Sequence, residues 1–131
     1  VERRIHNFNY LKEALKGTED KLILPRACEN SRPSWFGFLI TCREGVDRNQ
    51  IVQMIEAKGV QTRMLFAGNL TKHPCFDQMR ATGKGYRIAG TLENTDRIMK
   101  DTFWIGVYPG MTDEMLEVMA NAIKDAVNGV K

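Results

Sequence analysis

The sequence predicts an α+β fold, a two-layer sandwich in which a mainly antiparallel sheet of three or four strands carries helices on one face. Three observations lead there. Apolar residues recur at helical spacing in three separate stretches, two runs rich in aromatic and β-branched residues read as central strands, and Gly or Pro punctuates most junctions. The length of 131 residues suits a single domain with one core.

The first element is a helix through "VERRIHNFNYLKEALKG", with Ile5, Phe8, Leu11 and Leu15 on one side and Gly17 as its stop. No Ser, Thr, Asp or Asn caps its start, and Arg3 and Arg4 occupy the end where the helix dipole disfavours cations, so it reads as the end of a helix from a longer chain. A short apolar stretch, Leu22 to Leu24, is closed by Pro25. "PSWFGFLITC" (33–42) then reads as a central strand. Past Gly45, Asp47 and Gln50 form a capping pair for a helix that buries Ile51, Met54 and Ile55 and ends near Gly59. A strand over 60–66 follows, interrupted by Arg63.

Residues 67–94 are irregular and carry one helical turn over 74–80. Asn94 or Thr95 can cap a short helix through "TDRIMKD". "FWIGVY" (103–108) is another strand, closed by Pro109-Gly110. Thr112 caps a last helix that has Asp113 and Glu114 in its first turn and a buried stripe of Leu116, Met119, Ile123 and Ala126.

Composition excludes several classes. Hydrophobic residues make up 43% and charged residues 27%, as in a folded globular protein. Nineteen basic against sixteen acidic residues give +3, with no basic cluster to suggest nucleic acid. The longest apolar runs fall well short of the roughly 20 residues that cross a bilayer. Cys28, Cys42 and Cys75 are odd in number, widely spaced and form no C-x-x-C pair. With only His6 and His73 beside them they make no zinc set, and they read as reduced thiols of a cytoplasmic protein.

Motifs for chemistry are missing. The chain has no G-x-S-x-G elbow and no H-E-x-x-H, and "GKGYRIAG" lacks the spacing of a phosphate-cradling loop. Three features need a partner. Trp35 and Phe36 lie beside Gly37, and strand alternation makes it hard to bury both rings on one face. Arg63 and Arg97 sit among apolar neighbours, where each should meet a carboxylate, a phosphate or a subunit partner. Asn69 offers a donor and an acceptor beside Gly68. Together they read as part of a polar site completed elsewhere.

The stretches "FNYLKEAL", "PSWFGF", Arg63 to Thr71 (R-x-LFAGNLT), "NTDRIM" and "TFWIGVYPGMT" resemble the C-terminal region of the nucleotide-sugar 3-dehydratases of the CDP-4-keto-6-deoxy-glucose 3-dehydrase type. These belong to the DegT/DnrJ/EryC1/StrS sugar aminotransferases, which have the aspartate-aminotransferase fold. The resemblance covers nearly the whole chain, residues 78–90 apart. It implies a homodimer whose large domain binds pyridoxamine or pyridoxal phosphate, with a histidine in place of the usual lysine, and whose small C-terminal domain covers the site. It also implies a sugar-nucleotide substrate that loses its 3-hydroxyl, and an iron–sulfur flavin reductase as partner, in deoxysugar and lipopolysaccharide biosynthesis.

On this resemblance residues 1–17 end the connecting helix, 18–131 form the small domain, and the large domain is absent together with every catalytic residue and the cofactor pocket. Phe36 is then nearest the cofactor and sugar, and Arg97 makes a charged contact at the same cleft. Phe66, Gly68 and Asn69 shape the substrate loop, and Arg63 stands close by. Trp35 packs. Some apolar residues from Ile5 to Leu15, or around Trp35 and Phe36, should be exposed where the large domain is missing. Two alternatives stay open at this point: a free-standing α+β ligand-binding or interaction module, and the small domain of a nucleotide-sugar aminotransferase.

Overall fold

A computed structural model describes residues 1–130. Its four-stranded sheet has the order β1-β2-β4-β3, with β1 at Leu22–Ile23, β2 at Gly37–Cys42, β3 at Thr62–Met64 and β4 at Thr102–Gly106. Every neighbouring pair is antiparallel. β2 and β3 therefore run the same way with β4 between them, and the helix α2 (Arg48–Ala57) supplies the crossover that parallel strands require.

Register decides which side chains meet. Phe38 lies opposite Ile105 and Ile40 opposite Phe103, and opposed residues share a face. All four are fully buried. Against them pack α1 (Glu2–Ala14), α2 and α5 (Asp113–Gly129), through Leu11, Ile51, Ile55, Leu116 and Ile123. The core thus lies between one sheet face and three helices, as predicted. Cys42 joins it. Burial, then the nearby Asp101 carboxylate, pushes its thiol up to about 11, so it packs and does not react.

The ends are fastened locally. Asp47 Oδ1 accepts from the amides of Asn49 at 2.8 Å and Gln50 at 3.3 Å, and Thr112 Oγ1 from that of Met115 at 3.3 Å. Lys21 Nζ donates to the carbonyls of Val127 at 2.9 Å and Val130 at 2.7 Å, satisfying orphan acceptors at the end of α5. Arg3, unfavourable to its own helix dipole, pairs with Asp113 at 2.8 Å across the α1–α5 contact.

Several expectations are corrected. Phe8, Leu11 and Leu15 are buried within the chain, because α5 covers that side of α1; Phe36 is the exposed member of the expected patch. Arg63 and Arg97 are both exposed, so water solvates their charge and no buried partner is needed. The strand expected over 33–42 pairs only from Gly37, and the one over 60–66 shrinks to Thr62–Met64. There Val60 N–H is spent on Ile55 C=O, and Phe66 turns the chain away.

Phe38→Ala should lower the unfolding free energy by about 3–5 kcal/mol. Asp47→Ala, which removes a cap and no core contact, should cost about 1 kcal/mol. Urea unfolding of the two variants checks both, and equal losses would contradict this division between core and cap.

Candidate functional site

The sheet face opposite the helices carries the unusual surface. Alternation puts Leu39, Trp104 and Arg63 there, in one rung of the ladder. Trp104 is its centre. Its indole N–H donates to Met64 C=O at 3.1 Å, and its six-membered ring lies over Gly37, where an added Cβ would come within 2.7 Å of Cε3. Gly37 pairs with Gly106, so the strand ends beside Trp104 are bare of side chains. The ring can lie flat there only because Gly37 has no Cβ; one on Gly106 would meet nothing within 4 Å.

Two further rings flank the indole. Phe36 meets it edge-on, with centroids 5.4 Å apart and planes at 88°, an arrangement aromatic quadrupoles favour. Phe66 lies 6.2 Å away at 39°. Both phenylalanines are exposed, Phe36 by 58% and Phe66 by 74%. Trp35 turns the other way, onto Phe8 at 4.6 Å, and packs against the core.

Phe66 is held out by a backbone at φ 46, in the left-handed region that a bulky residue enters only at a cost. The loop after it is tied down. Gly68 has φ 62, and any Cβ there would collide with Met99 on α4 (Glu93–Asp101). Asn69 is 2% exposed. Its Oδ1 accepts from Thr71 N at 3.0 Å and Oγ1 at 2.7 Å, while its Nδ2 donates to Asp96 at 2.6 Å. Lys72 pairs with the same carboxylate at 2.9 Å. The hydrogen bond from Asn69, then Lys72, holds the Asp96 carboxyl below the usual carboxylate range. Further along, Arg80 donates to the carbonyls of Thr71 and His73 and pairs with Asp77, folding 71–82 back on itself.

Of the six predicted positions, Phe36, Phe66 and Arg63 share this face around Trp104. Gly68 and Asn69 form the clamp beneath the loop, and both ends of the Asn69 amide are already engaged. Arg97 borders a separate polar hollow, with Arg43, Arg48, Lys100, Asp47 and Asp101. That hollow lies toward the Cys42 and Thr102 end of the sheet, whereas Phe36 lies at the Gly106 end. Sequence reasoning missed Trp104 and its seat on Gly37. The available signal was alternation through "TFWIG", which sends Trp104 to the face opposite Phe103.

The sequence model of the DegT/DnrJ/EryC1/StrS aminotransferase family matches residues 1–124. The chain is 46% identical over 127 residues to the lipopolysaccharide biosynthesis protein RfbH of Salmonella typhimurium, covering 95% of the chain and 28% of that protein. It is 44% identical over 126 residues to a dTDP-4-dehydro-2,6-dideoxy-D-glucose 3-dehydratase of Saccharopolyspora spinosa, covering 95% and 26% respectively. Among solved structures it resembles an E. coli GDP-4-keto-6-deoxy-D-mannose-3-dehydratase with bound hydrated PLP, at TM-score 0.73 and 20% identity, over 93% of the chain and 31% of the other. That likeness shows the fold. The chain spans less than a third of the length of each of these proteins.

The Asp96 clamp has a defined pH dependence. A carboxyl lowered on folding stabilises above its unfolded value, near 3.8, and that contribution is lost as pH falls through the still lower folded value. The Asn69–Lys72 loop should therefore loosen below about pH 3.8 and stay closed above it. The Thr71 amide resonance, followed by NMR, reads this. A Thr71 shift that titrates identically in Asp96→Asn would assign the transition to another group.

Proposed function

The chain belongs to the DegT/DnrJ/EryC1/StrS aminotransferase family, and from that premise we propose that it is the C-terminal small domain of a nucleotide-sugar C-3 dehydratase dependent on pyridoxamine phosphate. In this reading residues 1–17 end the connecting helix, 18–131 cover the active-site cleft, and a larger cofactor-binding domain of the same polypeptide precedes them. One observation carries it: the inner sheet face has a complete core, while the outer face holds Phe36, Trp104 and Phe66 together and open. An aromatic patch of this kind marks a surface made to meet something else. The two relatives at 44–46% identity favour a dehydratase over an aminotransferase, since one is named a 3-dehydratase. The whole protein would act in deoxysugar or lipopolysaccharide biosynthesis, as a homodimer served by an iron–sulfur flavin reductase.

The residues present fit a cover and not a cofactor pocket. Around Trp104 the outer face presents Phe36, Phe66 and Arg63, side chains suited to shaping and shielding a cleft. Pyridoxamine phosphate, held by the large domain, supplies the electron sink for expelling the 3-hydroxyl. This chain's part is to shape the space. Phe36, braced edge-on by Trp104, excludes water and limits how the sugar can lie. Arg97, solvated in the isolated chain, is free to pair with a carboxylate or phosphate across the cleft. The chain alone should catalyse nothing.

The parent gene decides the domain reading: sequence upstream of Val1 should encode a large cofactor domain with a histidine where aminotransferases have lysine. In the full-length protein Phe36→Ala should lower turnover roughly 10- to 100-fold, and Arg97→Ala should lower it too, both with melting temperature nearly unchanged. Trp35→Ala should do the reverse and lose up to about 3 kcal/mol of stability, the low end for a large aromatic, because Trp35 is only partly buried. If Phe36→Ala destabilises as much as Trp35→Ala and leaves turnover per folded molecule intact, Phe36 is a packing residue and the assignment is wrong.

A further inference from the structure

Phe36 is not placed by its strand. β2 begins at Gly37, and its alternation carried back would put Phe36 on the buried side with Phe38, yet the ring is exposed beside Trp104. Contacts from outside the sheet must therefore hold this segment, and α1 supplies them. Asn7 and Phe8, consecutive on α1, take hold from two sides. The Phe8 ring meets Trp35 at 4.6 Å, and Asn7 Nδ2 donates to Tyr108 C=O at 2.8 Å. Val107, the residue before Tyr108, donates its N–H to Phe36 C=O at 2.7 Å.

We infer that Asn7 is a positioning residue for the cleft: through Tyr108 and Val107 it fixes the backbone of Phe36, so that the ring stands where it shields the reacting sugar. This rests on the dehydratase reading and adds to it a buried residue that acts only through Phe36.

Three observations support it. Asn7 is fully buried on α1 beside Phe8 and Leu11, and its Oδ1 has no hydrogen-bond partner among the described residues. A buried acceptor left unpaired costs stability. Second, Tyr108 C=O does not require the amide, since Met111 N–H already donates to it at 3.3 Å. An apolar side chain of similar size would pack here at less cost, so folding alone does not account for Asn7. What the amide adds is direction, because a second bond on Tyr108 C=O fixes the turn that follows Val107. Third, the first turn of α1 reaches the same two segments: Glu2 pairs with Arg32, and Arg3 donates to Met111 C=O at 3.1 Å. α1 thus grips residues 32–36 and 107–113 together. As the helix that joins the large domain, it carries the placement of that domain to Phe36.

The test is made on full-length protein. Turnover of a 4-keto sugar nucleotide per folded molecule, melting temperature, and hydrogen exchange at the Val107 and Ile105 amides are measured in each variant. Asn7→Leu keeps the volume and removes the donor; Asn7→Ser, which is too short to reach Tyr108, takes its place if the first does not fold. Turnover should fall on the order of tenfold with KM little changed. Val107 should exchange about tenfold faster and Ile105 as in the parent, and the melting temperature of Asn7→Leu should not fall. In a Phe36→Ala background the same substitution should lower turnover no further, because both changes act through one ring. The inference is overturned if turnover or Val107 exchange matches the parent, or if the effects of Asn7→Leu and Phe36→Ala on turnover multiply. Equal quickening at Val107 and Ile105 also overturns it, since the loss is then global. A parent protein without turnover in the presence of pyridoxamine phosphate refutes the dehydratase reading, and Val107 exchange alone then decides whether Asn7 holds the Phe36 segment. An active parent with unchanged Val107 exchange in Asn7→Leu refutes only this inference.

Discussion

Strict alternation along β2 and β4 is the constraint on which the rest of the molecule depends. Phe38, Ile40, Phe103 and Ile105 are committed to the helices and fully buried. A slip of one residue would send all four to solvent and bring Leu39 and Trp104 into a core without room for an indole. The hydrophobic cost of that exchange fixes register, and register in turn fixes the outer face. The aromatic row is thus a consequence of how the core packs. It needs no stabilising role of its own, which leaves its residues free to serve another surface.

Glycine at position 37 turns that freedom into geometry. With no Cβ, it lets the Trp104 ring lie across β2. Held there by Met64 C=O, the indole has one edge contact to give Phe36 and one open side toward Phe66. Phe66 completes the row only through an unfavourable backbone angle. That cost is offset locally: Gly68 admits Met99, and the fully engaged Asn69 amide ties the loop to α4. Strain at an exposed ring beside a satisfied clamp is the pattern of a surface maintained for binding.

Much of this was legible in the sequence, and the limits have physical causes. Helical spacing and the Asp47 and Thr112 caps located two helices closely, because both signals are local. Strand ends were overestimated wherever the backbone found another partner, as at Val60, whose N–H bonds to the preceding helix. Trp35 and Phe36 do part, one ring on Phe8 and the other on Trp104, but not by strand alternation: β2 begins only at Gly37, and its alternation carried back would put Phe36 on the side of Phe38. Trp104 itself went unnoticed because its importance lies in what stands across the ladder. Asn69 in sequence offers its groups to a ligand, yet they are spent within the chain, on a partner, Asp96, 27 residues away.

Arg63 and Arg97 show how far a local reading of charge can go. Both lie among apolar neighbours in sequence, and both are exposed in the fold. On a strand, half of the neighbours belong to the other face, so an apolar flank says nothing about the environment of the residue between them. The two arginines also separate. Arg63 shares a rung with Trp104, while Arg97 faces a hollow of mixed charge containing Arg43, Arg48, Lys100, Asp47 and Asp101. Neither guanidinium has a hydrogen-bond or salt-bridge partner among the described residues, so each keeps its charge for a group outside this chain. They differ in surroundings: Arg63 stands beside exposed rings, Arg97 among charged side chains of both signs.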